Sequence, residues 1–413
     1  MPRLSGGRVV TPDGVLDGAV VSVADGRIVD VAASGAAAAG DVDCSGCWVL
    51  PGFLDTHVHG TDGVDVLAGP DAVAQVAAGL TRYGVTGFCP TSLACPPGPL
   101  AAFLDAVAAA QAEPAPRGAR VLGAHLESNF LNPDYRGAQP ASCLRLPPSA
   151  GAAAPDAAFS AAEAAFSAAE VLAVIEGHAS AVAIVTLAPE LPGALDLVRR
   201  LAGAGHRVSL GHSGATYDQA AAAIAAGARH ATHLFNRMPV MSHRAPGLVG
   251  AVLAAGEVTC EIICDGVHVH PAWVRVAAAA KAPSGLVAIT DATAGAGLPV
   301  GATARLGDLT IHVGERVATL ADGTIAGSVT TMDRAFRFLV TEAGLSVPGA
   351  SRLTSANPAA ALGRADLGRL EPGCQADVVV MDEAFEVRQT WIAGRPVWNP
   401  DRRPHVSPAG GAP

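Results

Sequence analysis

The stretch PGFLDTHVHG (51–60) decides the expected fold, because it is an apolar run that ends in an aspartate and two histidines. Seven later stretches repeat this pattern of an apolar run ending in polar residues: GVTGFCPTS, RVLGAHLES, AVAIVTLAPE, HRVSLGHS, ARHATHLFN, TCEIICDGVHVH and GLVAITDAT. Alanine-rich segments, which favour helices, separate them. Eight strand–helix units over roughly 250–300 residues predict an α/β fold, a (β/α)8 TIM-like barrel, in preference to a doubly wound open sheet.

Both ends of the chain have the pattern of short strands and turns. Near the N-terminus, VVSVADGRIVDVA (20–32) contains two apolar runs joined by Asp25-Gly26, which is a hairpin signal. Each end is short for an independent domain, so we expect the two to pair into one small β-sandwich domain. The expected domains are a β-domain of residues 1–52 and 366–398, a barrel of residues 53–365, and a flexible tail of residues 399–413.

In a (β/α)8 barrel the catalytic groups gather where the strands end. The expected strand ends carry His57, His59, Glu127, His212, His233, His268 and Asp291. Imidazole and carboxylate groups are good ligands for a borderline divalent ion. Side chains two apart on a strand share a face, so both His57 and His59 can point into the barrel mouth. Five other histidines, at positions 178, 206, 230, 312 and 405, are expected on the surface or in packing.

Such a cluster predicts metal-assisted hydrolysis. A bound divalent ion lowers the pKa of water toward neutrality and polarises a carbonyl oxygen. Asp291, which follows the apolar run LVAIT, is placed to accept the proton of the water and pass it to the leaving nitrogen. Its structural alternative is the N-cap of a helix that would follow it.

Composition excludes several classes of function. The net charge is -10 and no basic run exists, so we expect no nucleic-acid partner. No apolar stretch of about 20 residues suggests a membrane span, and the N-terminus lacks a signal-peptide pattern, so a cytoplasmic location is expected. The eight cysteines are interpreted as reduced, mostly buried thiols.

One low-complexity segment interrupts the barrel pattern. The sequence AAFSAAE occurs twice in succession, at 157–163 and 164–170. A seven-residue repeat predicts a surface helix with Phe159 and Phe166 on one face. The functional alternative is a lid or a partner-binding helix.

The motifs together resemble the N-acetylglucosamine-6-phosphate deacetylase family of the amidohydrolase superfamily. The matching stretches, in order, are PGFLDTHVHG, HLE, FLNPDYRGA, TLAPE, GHSGAT, THLFNRM, RAPGLVG, DGVHV, TDAT, AGSVTTM, NPAAALG and LGRLEPGCQADVVVMD. The resemblance implies a metal-dependent hydrolase that removes the N-acetyl group of an amino sugar phosphate. It also implies one or two divalent ions, with zinc as the first choice and iron or manganese as alternatives.

The resemblance implies a role for each matching residue. Glu127, His212 and His233 would bind the principal ion, and Asp291 would be the acid–base residue. His57 and His59 would allow a second ion, since some family members have this pair and bind two. The substrate-contacting positions implied are Ala138, Gln139, Asn236, Arg237, Arg244, His268, Ala326 and Gly327. Arg244 resembles the residue that reaches into a neighbouring subunit's site, which implies a homodimer.

Lysine usage narrows the bridging ligand. Many binuclear amidohydrolases bridge their ions with a carboxylated lysine at the end of strand four. Here that strand ends in TLAPE, and the one lysine of the chain, Lys281, precedes strand eight. Any bridging ligand is therefore expected to be Glu127.

Three departures from the family pattern concern the pocket. Ser128-Asn129 stand where Gly-Pro is usual, Gln139 replaces a histidine that holds the substrate carbonyl, and Arg237 replaces a small residue. Glutamine can still donate a hydrogen bond, but it cannot become charged. We therefore expect amide hydrolysis to be retained, while the identity of the sugar stays open. A catalytically silent sugar-phosphate-binding protein is the alternative, and the complete ligand set argues against it.

Overall fold

The eight apolar stretches form the parallel strands of a barrel. The computed structural model of the chain describes residues 2–33, 38–115, 117–148 and 165–400. Its barrel strands are Phe53–Val58, Val85–Ser92, Ala124–Glu127, Val182–Leu187, Arg207–Leu210, His230–Ala231, Thr259–Ile263 and Leu286–Ile289. Neighbouring strands pair in parallel, and a bridge between Val58 and Ala292 joins the last strand to the first. The barrel prediction is confirmed.

Helices cover the outside of the barrel, so the strands are buried on both faces. The helices in the described ranges are Ala72–Leu80, Pro97–Ala112, Ala168–Gly177, Ala194–Gly203, Tyr217–Ala226, Gly247–Ala254, Pro271–Ala280, Met332–Thr341, Val347–Ser351 and Asn357–Ala361. The helix after strand five shows how local sequence sets their bounds. Thr216 and Gln219 form a capping box at its start, and Gly227 ends it at a φ of 125°.

The two ends of the chain share one antiparallel-rich sheet, as the sequence predicted. Its strands are Arg3–Thr11, Gly14–Ala24, Arg27–Ala32, Val42–Asp43, Trp48–Pro51, Val378–Met381, Val387–Ile392 and Arg395–Trp398. The central pairing joins Trp48–Pro51 to Val378–Met381, with Val378 opposite Pro51. Asp25 and Gly26 both have positive φ, of 49° and 77°, and form the predicted hairpin turn.

A partly buried ion pair ties the terminal sheet to the barrel. Arg120, just before the third barrel strand, donates from Nε and from a terminal nitrogen to the two oxygens of Asp377, each at 3.0 Å. The Asp377 side chain is nearly buried, so its negative charge is stabilised by Arg120 in place of water. The first barrel strand follows directly from Trp48–Pro51, which fixes the barrel's bottom end against the sheet.

The alternating pattern did not reveal a second small sheet that follows strand eight. It consists of Thr303–Leu306, Leu309–Val313, Val317–Thr319 and Ile325–Ser328, joined in antiparallel order. It has its own apolar cluster around Ile311, Ala318 and Ala326. A bridge from Ser328 to Ala292 attaches it to the end of the last barrel strand. This sheet therefore forms one wall of the barrel mouth.

Most of the AAFSAAE repeat, including Phe159, lies outside the described residues. Its second copy contributes Phe166, which is buried beneath the guanidinium of Arg145 at 3.6 Å from the ring centroid. Ser167 then caps the helix Ala168–Gly177. Among the helices that the structure describes, none is both long and apolar enough to span a membrane.

Candidate active site

A cavity of about 440 Å³ opens where the barrel strands end. Eleven of the residues singled out from the sequence line it: His59, Glu127, Ala138, Gln139, His212, His233, Asn236, Arg237, His268, Asp291 and Gly327. His57 lies behind this lining with no exposure, next to His59. Arg244 and Ala326 do not line the cavity: Arg244 is exposed, and Ala326 is buried in the apolar cluster of the second sheet.

The first set of ligand atoms converges on one carboxylate oxygen. Oε1 of Glu127 lies 2.9 Å from Nε2 of His212 and 3.0 Å from Nε2 of His233. The two imidazole nitrogens are themselves 2.9 Å apart. All three residues are buried, and two imidazoles with one carboxylate suit a divalent ion. Glu127, His212 and His233 thus form the candidate principal metal site.

A second set shares Glu127 with the first. Nε2 of His57 lies 3.7 Å from Oε1 of Glu127, and Nε2 of His59 lies 3.5 Å from Oε2. Oδ1 of Asp291 lies 3.4 Å from His57 Nε2 and 3.2 Å from His59 Nε2. The Glu127 carboxylate therefore stands between two pairs of histidines. This is the arrangement that a bridging ligand between two ions requires.

Hydrogen bonds on the far side of the rings fix how the histidines point. Nδ1 of His212 lies 2.9 Å from the carbonyl oxygen of Tyr135, and Nδ1 of His59 lies 3.0 Å from that of Thr91. A protonated Nδ1 that donates to such an acceptor leaves Nε2 with a free lone pair for a metal ion. The donor set and its orientation therefore fit a divalent ion.

The charges of the cluster depend on one another. Burial alone would lower the pKa of His57, but the facing carboxylates of Asp291, Glu127 and Glu261 outweigh it and raise the pKa to about 10. Burial opposes ionisation of Glu127, yet His212, His233 and His57 hold its pKa well below the usual range. The pKa of Asp291 is likewise lowered, because His57 and His59 outweigh the effect of burial. Both carboxylates are therefore ionised at neutral pH.

Backbone strain concentrates at this site. His212, His233, Arg237 and Asp291 all have positive φ, between 30° and 51°. Non-glycine residues adopt this conformation only where the surroundings enforce it, and such residues cluster at functional sites. The residues directly after Asp291 form turns that lead into the strand Thr303–Leu306 and not a helix, so its alternative role as an N-cap is excluded.

Gln139 is held by two hydrogen bonds, and one of them reaches the candidate metal ligand Glu127. Its Nε2 donates to Oε2 of Glu127 at 2.5 Å, and its Oε1 accepts from the backbone N–H of Ala94 at 2.8 Å. The side chain is only 2% exposed. Gln139 therefore orients the shared carboxylate, a role that its position in the sequence did not reveal.

The guanidinium of Arg237 and the imidazole of His268 stand on the outer wall of the cavity. The guanidinium of Arg237 lies across Gly137, where a Cβ atom would approach its Nε to 2.7 Å. Nδ1 of His268 lies 2.6 Å from Oδ2 of Asp265. Burial alone would lower the pKa of His268, but the carboxylate of Asp265 outweighs burial and raises it. Neighbouring Asn236 binds the backbone carbonyls of His233 and Leu234 through its amide nitrogen. This wall can bind an anion.

The Ser128-Asn129 departure lies behind the cavity. The Ser128 hydroxyl donates to the carbonyl oxygen of Thr186, and the Asn129 amide donates to those of Cys95 and Cys143. Both side chains are buried, and neither lines the cavity. They brace the loop after strand three, so this departure does not place a side chain in the cavity.

Three buried polar residues, Glu261, His125 and His230, were not singled out as site residues from the sequence. Glu261, in the strand Thr259–Ile263, contacts His57, His125 and His230, and none of the four is exposed. His230, expected on the surface or in packing, is thus part of a polar core beneath the ligands. The signal that could have found Glu261 is a charged residue inside the otherwise apolar run TCEII.

Comparison with known proteins agrees with this geometry. The amidohydrolase family model matches residues 48–397. The N-acetylglucosamine-6-phosphate deacetylase of Danio rerio is 37% identical over 368 residues, which is 86% of each chain. The N-acetylgalactosamine-6-phosphate deacetylase of Escherichia coli O157:H7 is 35% identical over 391 residues, or 94% of this chain and 97% of that one.

A solved structure extends the match to three dimensions. It is a mutant of N-acetyl-D-glucosamine-6-phosphate deacetylase from Mycobacterium smegmatis in complex with N-acetyl-D-glucosamine-6-phosphate. The TM-score is 0.85 at 34% identity, and the match covers 96% of this chain and 98% of that one. The chain therefore belongs to the amidohydrolase family and, within it, to the N-acetylglucosamine-6-phosphate deacetylase family.

Proposed function

We propose that this chain hydrolyses the acetamide of an N-acetylated amino sugar 6-phosphate, giving acetate and the free amine. The observation that carries the proposal is the position of Asp291, whose carboxylate lies beside the metal-ligand cluster and lines the same cavity as His268 and Arg237. A hydrolytic centre and an anion-binding wall thus share one cavity. The deacetylase relatives described above support the same reaction.

The ligand set would hold a divalent ion through Glu127, His212 and His233. When bound, such an ion lowers the pKa of water and polarises the amide carbonyl. Burial opposes ionisation of Asp291, but the facing imidazoles of His57 and His59 lower its pKa, so the carboxylate is available to accept the proton of the attacking water. It would then deliver that proton to the departing amine nitrogen.

The remaining pocket residues would bind the sugar phosphate. His268, with its raised pKa, and the guanidinium of Arg237 supply charge-assisted donors to a phosphate group. Gln139 Nε2 has a second N–H, which would hold the substrate carbonyl in place of the histidine that does so in the family. Asn236 and Gly327 complete the lining on either side.

We propose zinc as the ion, with iron(II) or manganese as alternatives, since imidazole and carboxylate suit all three. His57 and His59 support a second ion, because both Nε2 atoms face Glu127 and Asp291. We also propose a homodimer, in which Arg244 reaches the neighbouring site. Its exposure and its absence from the lining of its own cavity support this role. A cytoplasmic location is supported by eight free thiols.

The identity of the sugar is the open part of the proposal. The relatives include deacetylases of N-acetylglucosamine 6-phosphate and of N-acetylgalactosamine 6-phosphate. These two sugars differ only in the configuration of the hydroxyl at C4. We put the glucosamine derivative first, because more of the relatives act on it. A different N-acyl amino sugar, processed by the same mechanism, is the second candidate because Arg237 changes the rim of the pocket.

One experiment tests these alternatives together. The protein, loaded with zinc, iron(II) or manganese, is assayed for free amine released from N-acetylglucosamine and N-acetylgalactosamine, each with and without 6-phosphate. We expect the 6-phosphates to be preferred through KM, and Arg237→Ala to reduce that preference. Faster turnover of an unphosphorylated sugar would contradict the assigned phosphate wall. A metal-loaded protein that hydrolyses no member of the panel would be a binding protein.

A further inference from the structure

Glu261 is a carboxylate in the interior of the barrel, with no exposure to solvent. Its Oε2 lies 3.0 Å from Nδ1 of His57, and its Oε1 accepts from the Thr56 hydroxyl at 2.8 Å. Nε2 of His230 lies 3.2 Å from Oε1, and Nδ1 of His125 lies 3.7 Å from the same atom. Removing a carboxylate from water carries a large free-energy cost, so hydrogen-bonding and charged partners must offset the cost of burying Glu261.

The described site histidines differ in what holds their outer nitrogen. His59 and His212 use backbone carbonyl oxygens, and Nδ1 of His233 lacks a hydrogen-bond partner within the described part of the chain. Nδ1 of His57 instead faces the carboxylate of Glu261, at 3.0 Å from its Oε2. A carboxylate partner fixes the tautomer and makes the opposite nitrogen a more basic ligand than a carbonyl partner does. The ligand so strengthened belongs to the second set of donors, which contains His57 and His59.

We propose that Glu261 is a positioning residue that enables the second ion to bind. It holds the His57 ring through Nδ1, so that Nε2 faces Glu127, Asp291 and His59. A second ion held by His57 and His59 would have Glu127 and Asp291 as neighbouring carboxylates, and Glu261 would add a negative charge behind the His57 ring. Glu261 thereby strengthens the binding of the second ion without acting on the first. The inference rests on the proposed function only in requiring that the cluster bind divalent ions.

The polar groups around Glu261 support this role over a purely structural one. The Thr56 hydroxyl and the two buried histidines lie around Oε1, whereas Oε2 faces Nδ1 of His57. A carboxylate that served only to satisfy the core would not need a metal-facing histidine as its partner. The group of His57, His125 and Glu261 could also hold an ion by itself, and the test below detects that outcome as a third ion.

The test compares the wild-type chain with Glu261→Gln, which keeps the shape and removes the charge. Metal-free protein is titrated with cobalt(II), and bound ions are counted by the visible absorption and by elemental analysis. We expect two ions per wild-type chain. In Glu261→Gln the first ion should bind as in the wild type, and the second about 10- to 100-fold more weakly. Asp377→Asn is the matched control, a buried carboxylate far from the site, and it should bind both ions normally.

A second variant covers the case in which Glu261→Gln does not fold. Thr56→Val removes one hydrogen bond from Oε1 and keeps the charge, so the second ion should bind about threefold to tenfold more weakly. One ion per wild-type chain, with deacetylation intact, would overturn this inference and leave the proposed function standing. Two normal sites in Glu261→Gln, or a third ion in the wild type, would overturn it as well. A wild-type chain that binds no ion would refute both proposals.

Discussion

Replacing Gln139 by leucine should weaken metal binding although the residue is not itself a proposed ligand. Leucine has nearly the same size but removes both hydrogen bonds of the side chain, one to Oε2 of Glu127 at 2.5 Å and one from the N–H of Ala94 at 2.8 Å. Because the site is almost fully buried, water cannot replace either partner. The two losses should be seen in two different measurements.

The size of each effect follows from the kind of bond that is lost. A hydrogen bond to a charged group contributes about 1.5–3 kcal/mol, which corresponds to about 10- to 150-fold weaker binding of the principal ion. The orphaned Ala94 N–H should lower the free energy of unfolding of the metal-free protein by about 1–3 kcal/mol. Gln139→His, with a donor of similar reach, should bind metal within about threefold of the wild type while losing the same stability.

Competition with a chromogenic chelator measures the first effect, and urea denaturation of metal-free protein measures the second. Gln389→Leu serves as the control, because the side chain of that glutamine accepts a hydrogen bond from Nε1 of Trp391 in the terminal sheet and does not line the cavity, so the change should leave metal affinity unchanged. Wild-type metal affinity in Gln139→Leu would refute the assigned role of this side chain. Equal losses of metal affinity in Gln139→Leu and Gln139→His would show that the hydrogen bond donated to Glu127 does not determine metal binding.

Three further predictions address the chemistry and the fold. Asp291→Asn should keep its principal ion but lose about 10²- to 10⁴-fold in kcat, since the amide cannot accept the proton of water; a loss below tenfold in steady-state assays would contradict its role. In the metal-free protein the facing carboxylates outweigh burial and raise the pKa of His57 to about 10, so a second ion must displace a proton. Its affinity should therefore rise about tenfold per pH unit between about pH 6 and pH 9, and titration calorimetry in two buffers should detect about one released proton; a pH-independent affinity would exclude this. Arg120→Met should lower the free energy of unfolding by about 2–4 kcal/mol, because nearly buried Asp377 loses its bidentate partner. Adding Asp377→Leu should restore part of that loss in denaturant unfolding, and a double variant less stable than the single one would argue against an unpaired charge as the cause.

The barrel and its metal ligands could be predicted because both depend on local regularities. Each buried strand is a short apolar run, and strand ends in a barrel meet at one rim wherever they lie in the sequence. The residues Glu127, His212 and His233 are far apart in the chain, yet each is the polar residue that ends such a run. The resemblance to a known family then assigned their roles. The pairing of the two chain ends could be predicted because each end has a strand pattern but is too short for an independent domain.

What the sequence could not determine is which side chains meet behind the ligands. Gln139 reaches Glu127 across a loop, and Glu261 reaches His57 over a separation of 204 residues. Neither contact leaves a periodic trace, because each depends on a rotamer and on how strands are placed around the ring. The small sheet of residues 303–328 escaped for a related reason, since its strands are short and half-exposed and lack the apolar runs of the barrel. The sequence by itself thus determined the barrel and the kind of chemistry at its mouth. Only the tertiary structure decided how the shared carboxylate and the second pair of histidines are held. Those restraints act through space, between residues that are not neighbours in the sequence.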